Sequence, residues 1–225
     1  MRETVGDYPD WRSINYKPAI AELLPAALLP YLSSGQTALD VGCNTGSVAL
    51  FLAKHGLSVL GVDINPESIR TANERAEETG LRARVRFIAT DVTAEQNLGA
   101  FDAVLMIRLL TCFPSLHSWR SLLRRAGSLL KDEGIIYIND FKIAENSEVY
   151  RERYAAGARL GWRTGNFAVN DKAGRLLFIA HHHSEQDLEE ITSPYSQLEL
   201  NFRKSLSMNG NECEMFEFIG RRLRL

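Results

Sequence analysis

The chain has 225 residues, 45% of them apolar and 24% charged, which excludes a disordered, collagen-like or coiled-coil protein. Lys plus Arg is 26 and Asp plus Glu is 28, so the net charge of −2 argues against nucleic acid as the main partner. Cys43, Cys112 and Cys213 have neither disulfide-framework nor metal-pair spacing, and no apolar run is long enough for a signal peptide or a membrane span, so a cytoplasmic chain with no membrane association is expected.

In chain order, an amphipathic helix is expected over residues 18–32, kinked at Pro25. Strands and helices then alternate. A short strand over 37–42 precedes a helix over 47–55 with Gly56 at its C-terminal cap, and a second strand covers 57–63. Asn65 and Pro66 suit the cap and first turn of a helix running to Gly80. Strands over 85–90 and 101–107 follow. Leu116, Trp119, Leu123, Ala126 and Leu130 recur at steps of three or four and mark one apolar helix stripe. Gly134 punctuates before a β-branched strand over 135–141. This alternation predicts a doubly wound, mostly parallel sheet with helices on both faces.

After Lys142 the pattern changes. A helix is expected over 145–160 and a hairpin over 167–180, and Ser184-Glu185-Gln186-Asp187 reads as a capping box opening a short helix. Strands over 198–206 and 213–220, joined through Asn209-Gly210, must be antiparallel because their loop is short. The expected whole is one α/β domain over 1–225 with a seven-stranded sheet ending in a C-terminal antiparallel hairpin. It divides into an N-terminal lid and helix (1–34), a ligand-binding core (35–142), a substrate-cap insertion (143–183) and a C-terminal helix and strand pair (184–225).

The informative segment is Leu39-Asp40-Val41-Gly42-Cys43-Asn44-Thr45-Gly46. A strand ends in an acid and passes through a glycine-containing turn into a helix, at the strand end where open parallel sheets bind ligands. Asp63 and Asp91 end the next two strands, and Asp63 stands 21 positions after Gly42, the spacing at which a carboxylate meets ribose hydroxyls. Each acid alone is also an ordinary turn or helix-start residue, and a lone glycine-rich turn is weak. A nicotinamide-binding turn would need a glycine at 44 or 47, which is missing.

Taken in order, these residues resemble the cofactor signature of class I S-adenosylmethionine-dependent methyltransferases with a Rossmann-like fold. The family's acid-x-Gly-x-Gly-x-Gly falls on Asp40, Gly42, Asn44 and Gly46, with Asn44 as the departure, a residue that tolerates left-handed backbone. The resemblance covers about residues 36–141. It implies S-adenosyl-L-methionine as cofactor and S-adenosyl-L-homocysteine as product. It further implies a cofactor site of Asp40, Gly42, Cys43, Asn44, Gly46, Asp63, Ile64, Asp91, Val92 and Ile107, with Asp63 on the ribose and Asp91 and Val92 bordering the adenine.

The acceptor side is less determined. Ile107-Arg108-Leu109-Leu110 lacks the Asn-Pro-Pro-Tyr of amide and nucleobase methylating families. Arg108 reads either as a clamp for a carboxylate or phosphate or as a packing arginine. His181-His182-His183, on a strand, turns 182 one way and 181 with 183 the other. These rings read as a catalytic base or as strand-end residues; a metal is the third reading, but no carboxylate or cysteine has supporting spacing, so no metal is expected. Tyr8, Trp11 and Tyr16 either wall the transfer site or anchor the N-terminal segment. Tyr150, Tyr154, Trp162 and Phe167 suit a flat or apolar substrate under the insertion, with Tyr16, Arg108 and Tyr154 as substrate candidates. The basic residues at 221–224 read as a solvated edge. The expected function is methyl transfer to a small organic acceptor; the alternatives are a tRNA or RNA base methyltransferase and a non-catalytic S-adenosylmethionine-binding protein.

Overall fold

In a computed structural model of the chain, the described residues are 25–94, 97–171, 173–207 and 211–222. Tyr8, Trp11, Tyr16, most of the helix expected over 18–32, the Asn209-Gly210 turn and the end of the basic tail lie outside them. What is described of that first helix is a 3₁₀ segment, Ala26–Tyr31. Pro25 and Pro30 each lack an amide donor, and the chain closes with i→i+3 bonding, Leu28 N–H to Pro25 O at 3.0 Å.

Seven strands form one sheet in the order β3 (Val85–Ala89), β2 (Ser58–Asp63), β1 (Thr37–Val41), β4 (Phe101–Ile107), β5 (Leu130–Lys142), β9 (Glu212–Arg222) and β8 (Tyr195–Leu206). The first five are mutually parallel, whereas β9 runs antiparallel to both β5 and β8. The chain order reverses at β1, where β2 lies on one side and β4 on the other. That reversal opens a crevice at the strand ends.

Alternation along the strands loads both faces. Ala38, Val59 and Ala103 pack with Leu52 of α1 (Ser47–Lys54) and Ile69 of α2 (Pro66–Glu78). Leu39, Val104 and Ile138 pack with Trp119 of α3 (Leu116–Ser128) on the opposite face. Leu188 and Ile191 of α5 (Glu185–Thr192) join this second core. The Asn65 side chain caps α2 by accepting from Glu67 N and Ser68 N, and Ser184 with Asp187 forms the expected capping box on α5.

The stripe residues Leu116, Trp119, Leu123, Ala126 and Leu130 all pack into this second core, but the fully buried positions of α3 are Trp119, Leu122 and Ala126, Leu123 is half-buried, and Leu130 already belongs to β5. Gly134 does not precede β5 but lies within it, at an irregularity where the register with β4 shifts and Glu133 adopts φ 62°. Beyond β5, α4 (Glu148–Arg159) packs beside a separate two-stranded sheet, the hairpin of β6 (Asn166–Asn170) and β7 (Leu176–His181). This layer is tied to the main sheet where His183 N–H bonds Phe141 O and Ile143 N–H bonds His183 O, both at 2.9 Å.

Candidate functional site

The turn between β1 and α1 is built from three left-handed residues, Gly42 (φ 72°), Asn44 (φ 46°) and Gly46 (φ 82°). Gly42 and Gly46 are also spatially constrained. A Cβ on Gly42 would stand 2.8 Å from a Leu109 methyl, and one on Gly46 would stand 2.6 Å from the Phe87 ring. Gly42 N–H and Cys43 N–H both donate to Val62 O, at 2.8 and 3.0 Å, which lashes the turn to β2.

Gly46 offers α1 no side-chain cap. Asp40 fills that role from below: it is 2% exposed, and its carboxylate accepts the Ala49 N–H in the first turn of α1. Its Oδ2 has no hydrogen-bond partner. Burial, with the negative charge of Asp63 nearby, raises the Asp40 pKa to about 7. Asp63 accepts Asn44 N–H on Oδ2 at 2.8 Å and Asn65 N–H on Oδ1 at 2.9 Å, so one carboxylate clamps the turns after β1 and β2 together. From α2, Arg75 Nη1 donates to Thr45 O and to the hydroxyls of Thr45 and Ser47, at 2.7–3.0 Å. Neither the Arg75 clamp nor the capping by Asp40 was legible in the sequence, since each needs two elements already packed.

The remaining residues of the expected cofactor site occupy the same strand ends. Ile64 follows β2 and is half-buried. Asp91 is exposed and folds its own turn, with Oδ1 accepting Thr93 N–H at 2.8 Å and the Thr93 hydroxyl at 2.7 Å. Val92 is buried against the α3 face, and half-buried Ile107 closes β4.

Arg108, next after Ile107, holds φ 51°, an uncommon value for a long side chain. Its N–H bonds Asn139 O at 2.7 Å, and its guanidinium lies 5.6 Å from the Phe141 ring centroid. Beside it is Asp140, 1% exposed, a residue that the sequence reading did not single out. Asp140 accepts Thr111 N–H at 3.1 Å and Phe141 N–H at 2.8 Å, pinning the loop after β4 onto β5. Burial raises its pKa to about 7 against the opposing pull of these bonds and of Arg108.

The histidines divide by face as expected, and none reaches solvent: His181 and His183 are 0% exposed and His182 is 2%. His182 stacks on Phe141 at 5.1 Å, and its Nδ1 accepts the Tyr154 hydroxyl at 2.7 Å, while that hydroxyl accepts Ala144 N–H at 3.2 Å. Tyr150 and Phe167 also pack on the His182 ring. Tyr150 and Phe167 are thus the core of the insertion rather than an open wall for a substrate, and Tyr154 is half-buried at its edge. Burial holds His182 down to about 3, so its ring is neutral near pH 7. On the opposite face, His181 and His183 meet Asp187, a carboxylate whose sequence signal is only that of a helix cap.

Comparison with known proteins bears on the fold. Residues 38–134 match the family described as methyltransferase domain. A crystal structure from Methanosarcina mazei, described as a SAM-dependent methyltransferase, superposes with a TM-score of 0.84 at 27% identity, covering 91% of this chain and 100% of that one. Two curated relatives are named ubiquinone biosynthesis O-methyltransferase. The one from Methylococcus capsulatus is 36% identical over 81 residues, covering 36% of this chain and 34% of the relative. The one from Xanthomonas axonopodis pv. citri is 30% identical over 122 residues, covering 54% and 48%. The chain therefore spans a third to about half the length of those curated relatives. The fold is the Rossmann-like α/β arrangement of methyltransferases. Residues 38–134 carry the similarity to the methyltransferase domain family, and the chain shares its fold with the Methanosarcina mazei protein described as a SAM-dependent methyltransferase.

Proposed function

We propose that this chain transfers the methyl group of S-adenosylmethionine to a small organic acceptor. The observation that carries the reading is the set formed by buried Asp40, the left-handed turn over 42–46 and Asp63. The residues suit this cofactor. Each Asp63 oxygen spends one lone pair on a backbone N–H and keeps another for a ribose hydroxyl. Asp40 Oδ2 is a buried, unpartnered acceptor whose charge a cationic ligand would complement. Cys43 and Asn44 present the turn backbone, Ile64, Val92 and Ile107 supply apolar contact, and Asp91 borders the adenine edge. When bound, the cofactor supplies a methyl on a sulfonium, already an electrophile. The task left to the protein is alignment and exclusion of water.

For the acceptor, Arg108 is our candidate to hold an anionic group, because its strained backbone turns it at the end of β4 beside the cofactor residues. Tyr154 and Tyr16 remain substrate candidates on the insertion and N-terminal sides. The names of the two curated relatives favour oxygen as the nucleophile. Burial of the three histidines, and pairing of two of them, favours a packing role over proton transfer, so this reading assigns no general base among them. Net charge −2 and three free cysteines fit a cytoplasmic small-molecule enzyme; among the described residues no helix is long and apolar enough to cross a membrane.

The test is calorimetric titration with S-adenosylmethionine, S-adenosylhomocysteine and NAD, followed by transfer of labelled methyl to a panel of phenols and carboxylates with bulk tRNA in parallel. Micromolar binding of the first two, about 8 kcal/mol, with label on a small acceptor is expected. Binding of NAD alone overturns the cofactor, and label on tRNA alone overturns the acceptor class.

A further inference from the structure

On the far side of the insertion lies a second polar cluster that methyl transfer does not use. His181, His183 and Asp187 are all buried, and one donor atom from each lies within 4.8 Å of the others. His181 Nδ1 is 2.7 Å from Asn166 Oδ1. The orientation of that amide is fixed, because Asn166 Nδ2 donates to Pro114 O at 3.2 Å. The proton of neutral His181 is therefore on Nδ1, and Nε2 carries a lone pair. That lone pair faces Asp187 Oδ2 at 3.2 Å. Two acceptors this close, out of water, need a proton, a hydrogen-bond donor or a cation between or beside them, and Asp187 Oδ2 already accepts Ser184 N–H at 2.9 Å. His183 adds a second imidazole, 0% exposed, with neither ring nitrogen hydrogen-bonded. A buried ring with no partner on either nitrogen is a costly arrangement that a ligand would relieve.

We propose that His181, His183 and Asp187 form a buried site for a divalent transition-metal ion. Two neutral imidazoles and one carboxylate make a nitrogen-rich donor set that suits zinc and its neighbours rather than magnesium or calcium. The bond from Asn166 to the far nitrogen of His181 is the outer support that metal-bound histidines use to fix tautomer and ring plane. The His181–Asp187 pair already stands at about the 3.3 Å edge of a tetrahedral zinc site, so closure asks mainly for a shift of the His183 ring, which sits edge-on to Trp119 and Phe216.

Arg163 places a cation at the same lone pairs. Its Nη1 lies 3.1 Å from His181 Nε2, and its Nη2 pairs with Asp187 Oδ1. The Arg163 side chain is 27% exposed, so it has a path to solvent when an ion takes its place. Ion and guanidinium compete for the same lone pairs, which gives the proposal a sign: removing the arginine tightens the metal. The bound ion would pin β7 and α5 to the end of β5, where His183 already pairs with Phe141 and Ile143, and its role is structural.

The test uses the full chain without an affinity tag, stripped with chelator. Zinc is titrated by calorimetry and cobalt by visible absorption, beside thermal unfolding with and without one equivalent of metal. One site per chain is expected, with a tetrahedral cobalt band and a raised Tm. Arg163→Gln should tighten binding at least tenfold, and Asp187→Asn should weaken it at least tenfold. Since Asp187 also caps α5, His183→Phe, which fills the same space, is the second variant and should abolish the cobalt band in a folded protein. Lack of stoichiometric binding by the wild-type chain overturns the site. Binding that His183→Phe leaves unchanged overturns it equally, by placing the ion on surface histidines.

Discussion

Asp63, the last residue of β2, accepts the backbone N–H of Asn44 at 2.8 Å, and Asn44 holds a left-handed φ of 46°. The turn after β1 is therefore shaped by a side chain from the neighbouring strand, through an acid that is also the proposed ribose ligand. In the proposed reading, cofactor binding and turn geometry share one carboxylate.

Asp63→Ala should for that reason lose more than its ligand contacts. Charge-assisted hydrogen bonds are worth about 1.5–3 kcal/mol each, and the variant removes those to the ligand together with those that set the turn. A drop in S-adenosylmethionine affinity of at least tenfold is expected by calorimetry. An unchanged Kd in a folded variant removes Asp63 from the site.

Asn44 separates backbone conformation from side-chain chemistry. Asn44→Gly keeps the left-handed turn and should leave Tm and cofactor affinity nearly unchanged. Asn44→Val places a β-branched residue at positive φ and should cost about 1–2 kcal/mol or more. Equal stability of the two variants in urea unfolding contradicts the strain argument.

Asp40 gives a pH dependence with a defined sign. Its pKa is raised from 3.8 to about 7, so folding disfavours the charged form. Its favourable contribution is whole below about pH 4 and is lost as pH rises through about 7. Asp40→Asn should therefore gain stability over wild type at pH 8, by up to about 4 kcal/mol in the unliganded protein, and the difference should vanish near pH 4. Denaturant midpoints at the two pH values measure this, and a gain that is equal at both pH values would show that the carboxylate charge is not its source.

Leu122 and Leu123 test the packing of α3. Leu122 is fully buried against the sheet and Leu123 is half-buried. Leu122→Ala should cost about 2–5 kcal/mol, and Leu123→Ala clearly less. Equal destabilisation in urea would mean that the helix is rotated from the position described.

Much of this molecule was legible in its residue order. Strand–helix alternation, the Asn65-Pro66 start of α2 and the Ser184–Asp187 capping box are local signals that rest on period, cap chemistry and turn residues, and all three reappear in the structure. The acid-turn-glycine segment at 40–46 was equally local, because a left-handed turn selects its residues wherever it occurs.

Tertiary structure decided whatever depends on two distant segments meeting. Periodicity alone did not choose Leu122 over Leu123, since the apolar stripe fits either until the sheet fixes the helix rotation. Gly134 punctuates a sequence, yet here it sits inside β5, where pairing with β4 carries the strand through the irregularity. Asp40 as a helix cap, Asp140 as the pin of the loop after β4, and Asp187 beside His181 and His183 are contacts between elements. A carboxylate six positions past His181, and on another element, has no ligand spacing in the sequence. It joins the histidines because the capping turn at Ser184 folds α5 back and carries Asp187 within 3.2 Å of His181.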